Sequence, residues 1–220
     1  MENLTLIIPA KNEAASLPKV LEEIKNYDCQ KMIILESSDT ETIDSIKSYD
    51  CKIIFQQGKG YGNALIEGMN KVETEFLCIF NADGSFNPKY LDKMLGLCVD
   101  KDFVFASRYL KDGGSDDDTL LTLVGNFIFS SIGNIFFSLK LSDILYTFLL
   151  GRTSSFKKLE LKSNDFCLCV EMPIKAKKLK MKFIDTPSYE RKRFGGEKKV
   201  NEFLDGFKIL FFMIKSFFKI

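Results

Sequence analysis

The sequence contains no histidine, and only five prolines interrupt its 220 residues. The lack of histidine excludes His general bases, His metal ligands and Ser-His or Cys-His nucleophilic pairs. The six cysteines are scattered, mostly within apolar runs, and the spacing of Cys167 and Cys169 does not fit a zinc knuckle. The first ten residues have the pattern of a strand, with no visible secretory signal. We therefore expect reduced thiols and a cytoplasmic protein.

The chain also lacks a net charge of any size: 31 Lys and Arg against 30 Asp and Glu give +1. Such a protein has no general attraction for nucleic acid, and we expect no such partner. The charge is nevertheless uneven, since residues 171–220 hold 13 Lys or Arg against 6 Asp or Glu. This basic region favours an anionic partner such as phosphate or an acidic membrane surface, although solvated lysines on helix faces would give the same count.

The first half of the chain alternates between apolar runs and amphipathic segments. Predicted strands lie at 4–8, 32–35, 52–55, 76–80 and 103–106, and predicted helices at 13–26, 40–49, 61–72 and 88–99. This alternation predicts an α/β fold, a mostly parallel sheet with helices on both faces. Ligands of such sheets bind at the carboxyl ends of the strands. Four polar, turn-rich segments lie at these strand ends, at 9–13, 36–40, 58–62 and 81–85. We expect them to form a nucleotide-binding crevice.

Residues 81–85, Asn-Ala-Asp-Gly-Ser, are the most informative of these segments. They follow an apolar strand, and side chains two residues apart on an extended chain point the same way. Asn81 and Asp83 would thus present an amide oxygen and a carboxylate together, which suits a hard cation carrying a diphosphate. An Asp-Gly pair after a strand is also a common turn, so the segment gains weight only from its neighbours.

Residues 120–139 contain no charged side chain, and their length alone would allow a transmembrane helix. Polar residues recur at every fourth position and form one stripe: Thr122, Asn126, Ser130, Asn134 and Ser138. A lipid-spanning helix gains nothing from such a stripe. The pattern therefore favours an amphipathic helix or helix pair lying on the domain or at a membrane surface.

Residues 203–220 are dense in Phe, Leu and Ile, with one aspartate and three lysines between them. We expect a helix lying in the membrane interface with its lysines near anionic headgroups, or a helix packed on this domain or on a second subunit. The predicted organisation is one domain over residues 1–200, followed by a C-terminal amphipathic helix over residues 201–220.

Four segments resemble motifs of family 2 glycosyltransferases of the GT-A fold. They are residues 6–13 (LIIPAKNE), 58–68 (GKGYGNALIEG), 81–85 (NADGS) and 188–197 (SYERKRFGGE). Their order and spacing, within a likeness that covers about residues 4–215, are similar to those of dolichyl- and polyprenyl-phosphate mannosyl- or glucosyltransferases.

The resemblance implies a metal-dependent hexosyltransferase. It would move a hexose from a GDP- or UDP-linked sugar to a polyprenyl or dolichyl phosphate, or to a related cell-envelope acceptor. The reaction would take place peripherally at the inner, cytoplasmic face of the membrane, with Mg²⁺ or Mn²⁺ neutralising the departing diphosphate. Because an acceptor phosphate is already an anion, a strong general base is dispensable, and a chain without histidine suits this scheme.

The resemblance also implies roles for individual residues. The implied catalytic residues are Asp83, Arg108, Asp143 and Arg193, with Asp143 orienting the acceptor or the arginines. The implied nucleotide site consists of Pro9, Ala10, Asn12, Glu13, Glu36, Ser38, Lys59, Asn81 and Asp83. The acceptor phosphate would meet Arg108, Arg193 and Lys198, with Lys199 a further candidate. The metal would be held by Asp83, with Asn81 and Ser85 as weaker oxygen donors.

This sequence departs from the family pattern at several acidic positions. Asn81 stands where the family has a first acid, and Leu-Glu-Ser-Ser-Asp at 35–39 offers Glu36 or Asp39 where the family often has two adjacent acids. These departures keep two alternatives open. One is a nucleotide-sugar-binding homologue with little transferase activity, and the other is a transferase acting on a soluble glycan.

Overall fold

A computed structural model of the chain describes residues 1–195 and 199–218. The strands are β1 (Leu4–Pro9), β2 (Gln30–Leu35), β3 (Lys52–Phe55), β4 (Phe76–Ile79), β5 (Phe103–Ser107), β6 (Gly114–Ser115), β7 (Leu149–Arg152), β8 (Phe183–Pro187) and β9 (Tyr189–Glu190). The α-helices are α1 (Leu17–Glu23), α2 (Thr40–Ser45), α3 (Tyr61–Lys71), α4 (Leu91–Leu97), α5 (Leu120–Phe137), α6 (Thr153–Lys158), α7 (Leu168–Lys178) and α8 (Glu202–Phe218). A short 3-10 turn, Pro88–Tyr90, precedes α4.

Seven strands form one sheet in the order β3-β2-β1-β4-β7-β5-β8, and β6 pairs with β9 in a separate parallel ribbon. The sheet is parallel except for β7, which runs antiparallel to both of its neighbours, β4 and β5. The predicted mostly parallel α/β sheet is therefore confirmed. The reversed strand was not predicted, because it follows an irregular stretch. Its amino end lies at the edge where β4 and β5 have their carboxyl ends.

The sheet is covered on both faces, as the alternation of side chains along β1 shows. Leu6 and Ile8 are fully buried in a core with α1 and α4. Ile7, between them, is buried in a second core to which α3, α7 and α8 contribute. Successive side chains of a strand point to opposite faces, so the helices must lie on both sides of the sheet, as predicted.

All four predicted helices are shorter in the structure than in the sequence pattern, and the α-helical part of two of them begins later. The helix expected over 13–26 begins only at Leu17, because Asn12 adopts a left-handed φ of 54° and Pro18 occupies the first helical turn. Proline is accommodated there because the first turn needs no backbone N–H donor. The helix expected over 88–99 begins as the 3-10 turn and becomes α-helical at Leu91.

Three residues of the predicted polar stripe of α5 bind the backbone of residues 141–145, and two of them are buried. Asn126 and Ser130 are buried. Asn126 Oδ1 accepts from the Leu145 N–H at 3.2 Å, and Ser130 Oγ accepts from the Ile144 N–H at 3.1 Å. Asn134 exchanges two hydrogen bonds of 2.9 and 3.0 Å with the main chain of Leu141. The predicted stripe thus anchors the loop that leads into β7, and α5 is one continuous helix.

The C-terminal helix α8 packs on the domain along one side. Ile209 and Met213 are buried in the core, and Asp205 is buried beside them. The Phe217 ring lies 5.4 Å from that of Phe136 in α5, measured between centroids. A helix is therefore present where one was predicted, while the division of the chain at residue 200 stays a prediction.

Ser130→Ala tests the anchoring of the 141–145 loop. The substitution leaves the Ile144 N–H without its acceptor in a buried place, which should lower the free energy of unfolding by about 1–3 kcal/mol. Urea unfolding measures this difference. Gly125→Ala is the matched control on the same helix, since no atom lies within 4 Å of the added Cβ, and it should stabilise by about 0.5–1 kcal/mol. Wild-type stability in Ser130→Ala would contradict the assignment.

Candidate active site

A cavity of about 440 Å³ opens at the edge of the sheet where the parallel strands have their carboxyl ends. Nine predicted site residues line it: Pro9, Ala10, Glu13, Glu36, Asn81, Asp83, Ser85, Arg108 and Arg193. Lys199 lines it as well. Asn12, Ser38, Lys59 and Asp143 are not among its lining residues in the part of the chain that the structure describes, and Lys198 lies outside that part.

The turn after β4 holds Asp83 in one orientation. Asp83 Oδ1 accepts hydrogen bonds from the Ser85 N–H at 2.9 Å and from Ser85 Oγ at 2.7 Å. Asn81 Nδ2 lies 3.3 Å from the same Ser85 hydroxyl. The other carboxylate oxygen, Oδ2, lies 3.9 Å from Arg193 Nε. Ser85 and Asn81 therefore orient one oxygen of Asp83, while the other faces the cationic side of the cavity.

The turn that carries Asp83 suits a metal ion that is bound together with a diphosphate. Among the described residues, no group of three or more Cys, Asp or Glu side chains is placed to hold an ion. Mg²⁺ is commonly bound through one or two carboxylates together with substrate phosphates and water. Asp83 can supply the one carboxylate, with a diphosphate supplying further oxygens. The residues present fit such a shared site, and they do not form a cage made of protein ligands alone.

The ends of β1 and β2 form the opposite side of the cavity. Glu36 lines it and pairs with Lys11 at 3.2 Å. Asp39, the other acid of this segment, instead caps α2 by accepting from the Thr42 N–H at 3.3 Å. Asp39 also accepts from the Asn12 N–H at 2.7 Å. Glu36 is therefore the acid of this segment that lines the cavity, whereas Asn12 and Asp39 connect the surrounding loops.

Glu13 is a buried acid in the cavity wall. Its N–H donates to Thr42 Oγ1 at 2.9 Å, and its carboxylate accepts from the Ser16 hydroxyl. Lys199 Nζ lies 3.7 Å from the same carboxylate. Burial raises the pKa of Glu13 above its ordinary value, and the Ser16 hydrogen bond and the charge of Lys199 oppose that shift only in part.

The glycine-rich turn at 58–62 shapes the cavity through close packing. A Cβ on Gly60, whose φ is +97°, would lie 2.3 Å from the carbonyl oxygen of Asn164, so only glycine fits there. This contact places the start of α7 next to α3, where the rings of Tyr61 and Phe166 stack at 5.0 Å. Tyr61 Oη donates to Thr147 Oγ1 at 2.9 Å. The turn therefore builds an apolar wall, while Lys59 is exposed outside it.

Arg108 and Asp143 form a buried ion pair beside the cavity. Arg108 Nε and Nη2 donate to the two oxygens of Asp143 at 2.8 and 3.0 Å, and Nη1 donates to Glu190 at 3.2 Å. The guanidinium also lies over the Tyr146 ring, 4.6 Å from its centroid. Burial raises the pKa of Glu190, and the charge of Arg108 opposes this shift. Asp143 thus orients Arg108, whose donors are largely engaged by carboxylates.

Among the described side chains, Arg193 is the cation that lies within 4 Å of Asp83. It donates through Nε and Nη2 to Asp117 Oδ2 at 3.0 and 2.6 Å. Sequence reasoning missed Asp117 and Asp118, because it treated residues 111–118 only as a polar loop, and it quoted Glu190 in a motif without giving it a role. Six lining carboxylates are described, namely Glu13, Glu36, Asp83, Asp117, Asp118 and Glu190. Four lining cations accompany them, namely Lys11, Arg108, Arg193 and Lys199. The described cavity wall is therefore acidic on balance.

Residues 191–194 are fastened along the turn that carries Asp83. The Arg191 guanidinium pairs with Glu23 at 2.6 and 2.9 Å and donates to the carbonyls of Gly84 and Phe86 at 2.9 and 2.8 Å. The Phe194 N–H donates to the Asp83 carbonyl at 2.7 Å. A Cβ on Gly84 would lie 2.3 Å from the Phe194 ring, so the glycine permits this close contact. Arg191 was quoted in a motif without a role, and the structure shows that it braces the Asp83 turn.

The sequence of this chain is similar to those of known proteins. Residues 5–160 match the family model described as Glycosyl transferase family 2. The chain is 22% identical over 219 residues to a low-salt glycan biosynthesis hexosyltransferase of Haloferax volcanii, covering 96% of this chain and 53% of that protein. It is 26% identical over 208 residues to a UDP-N-acetylglucosamine–dolichyl-phosphate N-acetylglucosaminyltransferase of Methanococcus voltae, covering 83% of each. The chain thus spans about half the length of the first relative.

Solved structures share the fold at low sequence identity. Glucosyl-3-phosphoglycerate synthase from Mycobacterium tuberculosis, in complex with Mn²⁺, UDP and glucosyl-3-phosphoglycerate, has a TM-score of 0.76 and 10% identity, covering 97% of this chain and 79% of that chain. Mannosyl-3-phosphoglycerate synthase from Rubrobacter xylanophilus has a TM-score of 0.67 and 15% identity, covering 97% and 72%. The predicted GT-A fold is confirmed.

Glu13→Gln tests the burial of the Glu13 carboxyl. Because burial raises its pKa, the folded protein binds this proton more tightly than the unfolded chain does. The stability contributed by Glu13 therefore falls as pH rises above about 4.5. We expect the Tm of Glu13→Gln, relative to wild type, to increase over that pH range in thermal unfolding. Glu41→Gln, at an exposed position on α2, is the control. A Tm difference independent of pH would contradict the assignment.

Proposed function

This chain belongs to glycosyl transferase family 2, and from that premise we propose that it transfers a hexose from a nucleotide-sugar to a phosphate-bearing acceptor. The observation that carries the proposal is the position of Asp83. Its free carboxylate oxygen faces a cavity lined on one side by the ends of β1 and β2 and on the other by Arg193. These are the places that a nucleoside, a cation with its diphosphate, and a second phosphate would occupy.

The charge of the cavity supports a divalent ion in this reaction. Its described wall carries more carboxylates than cations, so a diphosphate alone would be repelled there. Asp83 would hold Mg²⁺ or Mn²⁺ together with the donor diphosphate, and the ion would offset the negative charge that develops on the leaving group. Asn81 and Ser85 would keep Asp83 oriented through the hydrogen bonds described above, rather than supply strong ligands of their own.

The nucleoside would lie against the ends of β1 and β2. Pro9 and Ala10 provide a flat apolar edge there, and Glu36 provides an acceptor for hydroxyl or ring N–H groups. Both UDP- and GDP-linked donors suit this chemistry. The relative from Methanococcus voltae is named for a UDP-linked donor, and the solved mycobacterial structure holds UDP. These names favour a uridine-linked sugar.

The acceptor would enter on the side of Arg193 and Lys199. Arg193 lies between Asp117 and Asp83, so it could hold an acceptor phosphate close to the donor. Burial, which alone would lower the pKa of Arg193, is outweighed by its ion pairs, so its pKa is raised and the side chain stays charged. Arg108 would act indirectly by fixing Glu190 and Asp118. An acceptor that is already anionic needs no strong general base.

A polyprenyl or dolichyl phosphate is the acceptor that we propose. The relative from Methanococcus voltae is named for dolichyl phosphate, and the basic C-terminal region suits a peripheral position at the cytoplasmic membrane face. A soluble phosphorylated acceptor is the second candidate, since the solved neighbour from Mycobacterium tuberculosis was crystallised with glucosyl-3-phosphoglycerate. Turnover on polyprenyl phosphate but not on phosphoglyceric acid would favour the first, and the reverse result the second.

Asp83→Asn tests the proposed function with the shape of the side chain kept. It should reduce hexose transfer by at least about 100-fold, because the charge that holds the cation is lost. It should also abolish the stabilisation by UDP that depends on Mn²⁺, measured by thermal shift against GDP as a second ligand. Asp44→Asn, at an exposed position on α2, is the control. Unchanged transfer would remove Asp83 from the mechanism, and Mn²⁺-dependent binding without transfer in wild type would favour a binding homologue.

Arg191→Lys tests the brace behind the Asp83 turn. Lysine cannot pair with Glu23 through two donors while also reaching the carbonyls of Gly84 and Phe86. We expect Mn²⁺-dependent UDP binding to weaken by about 10- to 100-fold, the usual range for a partner behind a metal ligand.

The matched control for this brace is Arg152→Lys. Arg152 also pairs with a carboxylate, that of Glu75, and donates to a carbonyl, that of Val99, but at the carboxyl end of β7, the opposite edge of the sheet. It should lower stability without changing UDP binding, as calorimetric titration would show. Equal effects of the two variants on binding would contradict the role of Arg191.

A further inference from the structure

Helix α5 has its polar and apolar sides reversed relative to a helix on the surface of a water-soluble domain. Its polar residues Asn126 and Ser130 are buried and bind the 141–145 backbone. Its outward side is apolar: Leu120, Phe127 and Ile135 are 78%, 71% and 72% exposed. A surface helix normally turns its apolar stripe to the core and its polar side to water. We therefore expect the outward side of α5 to contact an apolar environment.

Helix α8 carries a second apolar side directly opposite its buried one. The exposed residues of this side are Phe203, Leu204, Phe207, Phe211, Ile214 and Phe218. Their spacing of three and four residues puts them on one face of a helix with 3.6 residues per turn. Ile209 and Met213 point the other way, into the core. The outward face is thus a regular pattern with the period of a helix, and not a scatter of single exposed residues.

The two outward faces adjoin. α5 and α8 pack side by side, and the Phe217 ring meets the rings of Phe136 and Phe137 at centroid distances of 5.4 and 6.1 Å. Together, the exposed apolar residues of α5 and α8 named above form what we call the α5–α8 face. Large contiguous apolar patches on a protein surface mark sites that contact another protein or a membrane.

The two exposed charges described on α8 beside the α5–α8 face are both positive, whereas Asp116, Asp117 and Asp118 precede α5 in the chain. α5 contains no charged residue. Lys208 and Lys215 are exposed on α8, seven residues apart, and so lie along one edge of its apolar arc. Of the acids on α8, Asp205 is buried and Glu202 is half-buried at the first turn. An apolar face edged by lysines complements an anionic bilayer, which offers acyl chains and negative headgroups together.

The cavity opens next to this face. Asp118 and Thr122, at the start of α5, line it, and so do Lys199 and Val200 just before α8. The exposed side chains of Leu120 and Phe203 belong to the same two helix starts. A phosphate held in the headgroup layer would therefore lie near the mouth of the cavity when the α5–α8 face rests on a bilayer.

We propose that the α5–α8 face docks on the surface of an anionic bilayer, and that the acceptor enters the cavity from its headgroup layer. The second half of this statement rests on the proposed function, whereas the docking does not. Both helices lie in the membrane plane, because the buried sides of α5 and α8 are packed against the domain. The partner is lipid rather than a second copy of the chain.

Sedimentation with vesicles tests the docking. Wild type should bind vesicles of phosphatidylcholine with phosphatidylglycerol, and the double variant Phe207→Glu, Phe211→Glu should bind at least roughly tenfold more weakly, because two apolar side chains no longer enter the acyl layer. Val99→Glu with Leu179→Glu is the matched control, since both residues are exposed, at 70% and 51%, outside the face. The control should bind like wild type. Lys208→Gln with Lys215→Gln should weaken binding only to vesicles that contain phosphatidylglycerol.

Several results would overturn the proposal. One is equal vesicle binding by wild type and the double Phe variant, with circular dichroism showing both folded. Another is a wild-type dimer in light scattering that dissociates in the double variant while neither form binds vesicles, which would make the face an interface between copies. Failure of the proposed function is distinguishable: Asp83→Asn should retain vesicle binding, and the double Phe variant should retain Mn²⁺-dependent UDP binding.

Discussion

The direction of β7 is the constraint on which the cavity depends. Because β7 runs antiparallel between β4 and β5, those two strands keep the same direction, and their carboxyl ends stay at one edge with those of β1 and β2. The reversed strand starts at that edge, so residues 145–147 form part of the cavity wall that also holds Asp83. The inner polar side of α5 fixes this entering loop through side-chain hydrogen bonds. A helix on the surface thus helps to set the shape of the site.

Ion pairs fix the positions of the arginine side chains beside the cavity. An arginine buried without a partner would cost several kcal/mol, and Arg108 avoids this cost by pairing with Asp143 and Glu190. Arg108, Asp143 and Glu190 therefore hold one another in position. Arg193 is less buried than Arg108, and it pairs with Asp117 while lying 3.9 Å from Asp83.

Most of the sheet and part of the site could be predicted from sequence because their signals are local. The strand before Asn81 and the turn at Gly84 follow from a short apolar run and turn chemistry. The sequence did not show whether Glu36 or Asp39 lines the cavity, because this depends on which of the two caps α2. Asp117 and Glu190 were missed because they reach the cavity from the segment after β6 and from β9, 73 positions apart in the chain.

The sequence by itself determined the alternation of strands and helices, the aspartate at a strand tip and the four-residue polar repeat of α5. Each is a pattern of neighbouring residues whose backbone consequences are local. Only the tertiary structure decided that the polar repeat faces inward, that Asp143 is bound to Arg108, and that Arg191 braces the Asp83 turn. Those outcomes depend on which distant groups satisfy one another's hydrogen bonds and charges once the chain is packed, and no short stretch of sequence contains both partners.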